Sequence, residues 1–210
     1  MEKLVLSGHG VRLEPLEKRH AHDLSGLVDA GMWHGMTVPL PDTADAMVAH
    51  LERLAAGGAV AFAVVDATAG TVAGVTAFYD VAHDVRRVEI GHTFYGRRWW
   101  GTHVNPAAKL LLLSQAFDVW GMERVALRAD VRNTRSLAAI RRLGAQPEGV
   151  LRSHRVAFDG TRSDTAYFSI LRSEWPAARA GLTARLAELD APTAPTVPVR
   201  YVPQGEAAAR

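Results

Sequence analysis

The 210-residue chain reads as a single α/β domain of the α+β kind: a mixed, mostly antiparallel sheet of about seven strands, splayed at a central parallel pair, with helices on both faces. Three observations predict this. Residues 88 to 120 read as a β-branched strand, a basic glycine-containing loop and a long apolar helix. Gly121 ends that helix and the apolar run 124–129 follows it, and a strand reached through a helix lies parallel to the strand before it. On either side, apolar runs joined by short polar connections predict antiparallel hairpins.

The alternating segment 11–15 is a strand, and Ala21, Leu24, Leu27 and Val28 share one face of a helix over about 20–29. A loop rich in large residues, 31–36, precedes a helix that starts near Asp42 or Thr43 and ends before Gly57-Gly58. Its Trp33 and Met36 read first as residues filling the edge of the core. Residues 60–66 and 71–79 form a hairpin, 80–87 turn, and 88–95 complete a four-strand meander. Gly91, inside the last strand, predicts a bulge or a close backbone approach, and a bulge splays the strand from its neighbour. Asn105 caps the apolar helix with Pro106 at its first position. Asn133 caps a helix over 134–143 that Gly144 stops. Residues 150–158 and 165–171 pair around Asp159-Gly160, and a helix runs from Glu174-Trp175-Pro176 to about 189. The proline-rich run 191–198 is neither helix nor central strand, which divides the chain into a domain over 1–190 and a Pro/Ala-rich tail over 191–210.

Composition removes several function classes. A net charge of +2 with 22% charged residues is too small for a nucleic-acid argument, and no basic-aromatic interleaving recurs outside one loop. The absence of cysteine excludes disulfides, thiolate metal sites and an acyl-cysteine intermediate. The nine histidines are scattered without His-Glu-x-x-His spacing, so no metal is expected. There is no Gly-x-Ser-x-Gly elbow and no Gly-Lys-Ser/Thr phosphate loop. The longest apolar stretch, 55–78, is interrupted by Asp66 and four glycines, which argues against a membrane span. No signal peptide is evident, and the expected location is cytoplasmic. Homo-oligomerisation stays open.

The loop before the apolar helix carries the chemistry. Arg97, Arg98, Gly101 and several backbone amides converge where the helix dipole is positive, an arrangement suited to anions and equally to an ordinary solvated connection. Arg98, Gly101 and His103 occupy the three positions of the pattern Arg/Gln-x-x-Gly-x-Gly/Ala. Downstream come Asn133-x-x-Ser136, Arg142-Leu143-Gly144, Glu148-Gly149, Asp164 and Glu174-Trp175. In this order the motifs resemble the GNAT superfamily of N-acetyltransferases, and within it the RimJ/RimL branch that acetylates ribosomal proteins. The resemblance covers roughly residues 11 to 189, and His103 departs from the small residue the pattern has there.

This resemblance implies an acetyl-CoA-dependent transfer to a primary amine, either a protein N-terminus or a small molecule, with acetyl-CoA as co-substrate and no metal. It implies cofactor contacts along Thr93, Phe94, Arg97, Arg98, Trp100, Gly101, Thr102, His103, Val104 and Asn105, with Asn133, Ser136 and Arg142 from the next helix. The helix-loop-helix around Trp33 would border the acceptor. An amine must be neutral to attack a thioester, so a carboxylate should take its proton. Glu89, on the splayed strand and in the Glu-Ile-Gly pattern of the branch, is the candidate; its alternative is a salt bridge with Arg87 or Arg128. Many relatives place a tyrosine acid four residues before the helix-ending glycine, where this chain has Ile140. Ser136 is the next hydroxyl, as acid or as hydrogen-bond donor to the cofactor, and Tyr167 follows it. A catalytically silent CoA-binding module is the other reading, suggested by the bulk of Trp99, Trp100 and His103.

Overall fold

A computed structural model describes residues 4–33 and 36–189. The sheet has eight strands in the order β1-β2-β3-β4-β5-β6-β8-β7: β1 Leu6–Gly8, β2 Val11–Pro15, β3 Val60–Asp66, β4 Thr71–Ala82, β5 Arg87–Tyr95, β6 Arg124–Asp130, β7 Gln146–Val156 and β8 Arg162–Leu171. The expected meander is β2 to β5, antiparallel throughout, and among the described residues the single parallel pair is β5 with β6. The count is eight rather than about seven because β1, three residues long, is too short to show a period and exists by pairing with β2.

Among the described residues there are six α-helices: α1 Ala21–Ser25, α2 Ala30–Trp33, α3 Ala44–Ala56, α4 Val104–Ser114, α5 Thr134–Arg142 and α6 Trp175–Glu188. One apolar cluster lies under α4, α5 and α6 and contains Phe62, Phe78, Val88, Ile90, Leu112, Phe117, Phe168 and Leu182; the second lies under α1, α2 and α3 and contains Leu24, Met47, Leu51, Val75 and Phe94. Side chains alternate along a strand, so the strands feed both clusters.

Three expectations need correction. The helix expected over 20–29 breaks at Gly26, leaving a 3-10 turn Lys18–His20 and the short α1. The loop expected over 31–36 begins as the helical turn α2, which buries Met32 and Trp33. The apolar helix is capped at His103, and Asn105 lies inside its first turn. The hydroxyl of Thr102 accepts the Val104 amide at 3.3 Å, so the helix starts earlier than the Asn-Pro pair suggests. Elsewhere local signals located the caps: Thr43 accepts the Ala46 amide at 3.2 Å and Asn133 accepts the Ser136 amide at 2.9 Å. The boundary expected at 190 and the tail 191–210 lie outside the described residues.

Helix α4 continues through a π-turn, Gln115–Val119, and is buried on nearly every side. Leu112 is fully buried at its centre. Truncation in such a site removes transfer free energy and leaves a cavity, so Leu112→Ala should lower stability by about 2–5 kcal/mol, read from the denaturant midpoint.

Candidate functional site

β5 and β6 share only three registered pairs, Arg87↔Arg124, Val88↔Val125 and Glu89↔Ala126. Beyond them the strands part. The cause lies on β5, whose pairing with β4 shifts between Val75 and Ala77: Ala77 faces Gly91 and Val75 faces Phe94, so His92 and Thr93 together oppose Thr76. His92 takes the left-handed backbone conformation, φ 48°. This is the bulge that the glycine predicted, although Gly91 serves another purpose. A Cβ there would sit 2.7 Å from the Tyr79 ring, so Gly91 leaves room for that ring to lie across the strand.

Glu89 is buried at the closed end of this cleft. Arg128 Nε lies 2.9 Å from Oε1, the salt bridge that the sequence allowed as its alternative role. The Tyr79 hydroxyl donates to the same oxygen, which leaves Oε2 with no partner among the described residues. Burial, and next the charge of Glu89, push the Tyr79 phenol well above its ordinary range, so it stays a donor. Arg128 also donates to the Tyr167 hydroxyl at 2.6 Å, and its guanidinium lies over both the Tyr79 and Tyr167 rings. His92 stands edge-on to Tyr79 with centroids 4.9 Å apart. Burial first, then Arg128 and Arg155, lower its pKa, so it is neutral near pH 7.

The open end is a pocket of about 300 Å³ between α2, the loop after β5 and the start of α5, bounded by Gly31, Met32, Arg97, Trp100, Asp130, Arg132, Asn133, Thr134 and Arg135. Asp130 is four residues beyond the last paired residue of β6, about 13 Å along the strand. Trp100 forms the floor: its Nε1 donates to the Tyr95 carbonyl at 2.8 Å, and Arg135 at 3.3 Å and Arg97 at 4.8 Å from the ring centroid hold it. Arg97 is tied to Asp29 by bonds of 2.6 and 2.7 Å, and that pairing holds the Asp29 carboxyl far below its usual range.

The expected residues divide accordingly. Arg97, Trp100 and Asn133 line the pocket, and Ser136 lies in the first turn of α5 beside it. Gly101 has φ 77°, and a Cβ there would meet nothing within 4 Å, so its backbone faces open space at the start of α4. Thr102 donates to the Trp99 carbonyl at 2.8 Å, Val104 is fully buried, and Asn105 is partly exposed in the first helical turn. His103 buries Nε2 without a partner among the described residues. Arg98 turns away, stacked 3.8 Å from the Trp99 ring centroid and donating to Thr71 at 3.0 Å. Arg142 is exposed in the last turn of α5, at the far end from Asn133. Phe94 and Trp33 pack edge-to-face at 5.4 Å inside the second cluster, and Trp33 Nε1 donates to the Val38 carbonyl, so Trp33 fills the core edge and Met36 packs beside it.

Sequence reasoning passed over Tyr79, His92, Arg132, Arg135 and Lys109. The last is a lysine on α4, 5% exposed. Burial brings its amine down from 10.5 to about 7. Between these values the unfolded chain binds a proton that the folded chain does not, so this residue makes stability rise with pH across that window. Unfolding titrations of the wild type and Lys109→Met from pH 6 to 10 should therefore diverge in slope above pH 7, with the wild type gaining.

A cleft between two parting strands, a helix start at its mouth and a buried carboxylate at its apex are what the resemblance leads one to expect. Residues 11–146 match the model of the acetyltransferase (GNAT) domain. The chain belongs to the GNAT acetyltransferase family. The provisionally named ribosomal N-acetyltransferase YdaF of Bacillus subtilis is 30% identical over 106 residues, 50% of this chain and 57% of that protein, so the match spans little more than half of that relative. A GCN5-related N-acetyltransferase from Brucella melitensis has the same fold, with TM-score 0.79 and 30% identity over 89% of this chain and 86% of the other. Mycobacterium smegmatis RimJ, in complex with CoA-disulfide, shares the fold at TM-score 0.72 and 22% identity, over 87% and 95% of the two chains. The GNAT expectation is met, and the names YdaF and RimJ carry fall in the branch its motifs suggested. Among the described residues no helix is long and apolar enough to cross a membrane, and no group of three His, Asp or Glu is placed to hold a metal.

Proposed function

We propose that this GNAT chain transfers the acetyl group of acetyl-CoA directly to a primary amine, with protein N-termini, as in the ribosomal acetyltransferases it resembles, the first class to test. The observation that carries this reading is the bulge-splayed cleft between β5 and β6, with the glycine-containing start of α4 at its open end and Glu89 at its closed end. The bound cofactor supplies an activated thioester. The residues around the cleft fit it: the Gly101 backbone at positive φ faces open space at the helix start, which suits a pyrophosphate, and Arg135 adds positive charge at the pocket, where Arg132 is paired with Asp130. In this reading Ser136 and Asn133, at the start of α5, donate to the cofactor.

Glu89 takes the amine proton on Oε2, the oxygen left free by Arg128 and Tyr79. The amine nitrogen then bonds the acyl carbon, the carbon–sulfur bond breaks, and the thiolate takes up a proton. The absence of cysteine removes an acyl-cysteine intermediate, and direct transfer is the simplest route that remains. The chain works in the cytoplasm in this reading. The test is a screen of peptides and small amines with acetyl-CoA, reading released CoA thiol and product mass. Turnover with at least one amine is expected; CoA binding with no turnover across the panel would make the chain a silent CoA-binding module.

A further inference from the structure

Helix α4 sends one long polar side chain into the sheet. Lys109 Nζ donates to Thr93 Oγ1 at 2.9 Å and to Thr76 Oγ1 at 3.1 Å, and the two hydroxyls are 2.9 Å apart. Thr93 also donates to the Gly91 carbonyl at 3.1 Å. Thr76 is the β4 residue that faces the bulge, and Thr93 is one of the two β5 residues opposite it. The two threonines are therefore joined at the place where strand pairing fails, and the lysine comes from the helix whose start borders the cleft. A methylene chain that packs among leucines would be as well served by leucine itself, and burying an amine there costs free energy that hydrogen bonds must offset. An uncharged amine has two protons, and two acceptors face it.

We propose that Lys109 is a positioning residue: by tying Thr93 of the bulge to Thr76 of β4, it holds the Gly91 to Phe94 backbone in the path that keeps β5 away from β6 and so sets the shape of the cleft. This rests on the acetyl-transfer reading for its kinetic consequence and on the hydrogen bonds alone for its structural one. A ladder in which Thr76 faced a single β5 residue would return the strand to regular pairing, and the four bonds at Lys109 and Thr93 act against that return. Thr76 is fully buried and out of reach of any ligand, which makes it the clean partner for a test.

The experiment compares Lys109→Met, Thr76→Val and Thr76→Ser in the full chain. It follows the backbone amide shifts of residues 91–94 by NMR, CoA affinity by calorimetry, and kcat and KM with an amine taken from the acceptor screen. Lys109→Met and Thr76→Val should move the bulge amides and lower kcat about tenfold, since misplacing reacting groups by a fraction of an ångström costs rate rather than binding. CoA affinity should stay within about threefold of wild type, because no bond to the helix-start loop is touched. Thr76→Ser keeps the hydroxyl and should behave as wild type, and the double variant should be no worse than Lys109→Met alone. Unmoved bulge amides, or an unchanged kcat in a folded Lys109→Met, would overturn the proposal. If Lys109→Met does not fold, Thr76→Val against Thr76→Ser decides by the same readouts. Absence of turnover in the wild type would sink the acetyl-transfer reading instead, and the amide shifts would still judge the tie.

Discussion

Glu89→Gln should lower kcat roughly 10²-fold or more, the loss typical of a missing general base, while CoA affinity changes little. The substitution keeps the shape of the side chain and its oxygen toward Arg128, so the damage falls on proton transfer. It also leaves Arg128 without its counter-charge in a half-buried place. The melting temperature should therefore fall as well, and the two effects separate by measuring rate well below the transition. A rate that recovers as pH rises, because more of the amine is already neutral, would be the signature of a lost base. A Glu89→Gln protein with wild-type kcat and pH profile, but a lower melting temperature, would assign Glu89 to the salt bridge with Arg128 alone.

Gly101→Val should cut CoA affinity tenfold or more, through two costs that act together. The residue sits at φ 77°, where a β-branched side chain is strained by at least about 1–2 kcal/mol. The added methyls would also occupy the open space in front of the loop, where the pyrophosphate is proposed to lie. Gly101→Ala provides the control, since it carries most of the backbone strain and little of the bulk. Calorimetric titration with CoA should rank the three proteins wild type, alanine, valine. Equal affinities would move the pyrophosphate away from the start of α4.

What the sequence showed in advance was mostly local. Thr43, Asn133 and the Asp159-Gly160 turn were legible because a cap or a turn is decided by residues within three or four positions of it. The parallel pairing of β5 with β6 was legible because chain connection alone dictates it. The start of α4 was misread for a local reason: Asn105-Pro106 imitates a cap, but the Thr102 hydroxyl takes the Val104 amide first. The contacts that shape the site are not local. Asp29 and Arg97 are 68 positions apart, and nothing in either neighbourhood names the other. Arg98 was placed at the anion site by its position in a motif, and the aromatic face of Trp99 beside it draws it elsewhere. Lys109 did leave a signal: one lysine among apolar neighbours, in a helix with no polar face to put it on.

The short parallel seam has a mechanical consequence. The sheet resembles a book of two leaves, β1 to β5 and β6 to β8, stitched along three rungs at one end, with α4 packed on β1, β2 and α6. Bending about those rungs changes the gap at the free edges while breaking no hydrogen bond inside either leaf. A small twist of either leaf therefore opens or narrows the gap between the pages with no strand pairing lost.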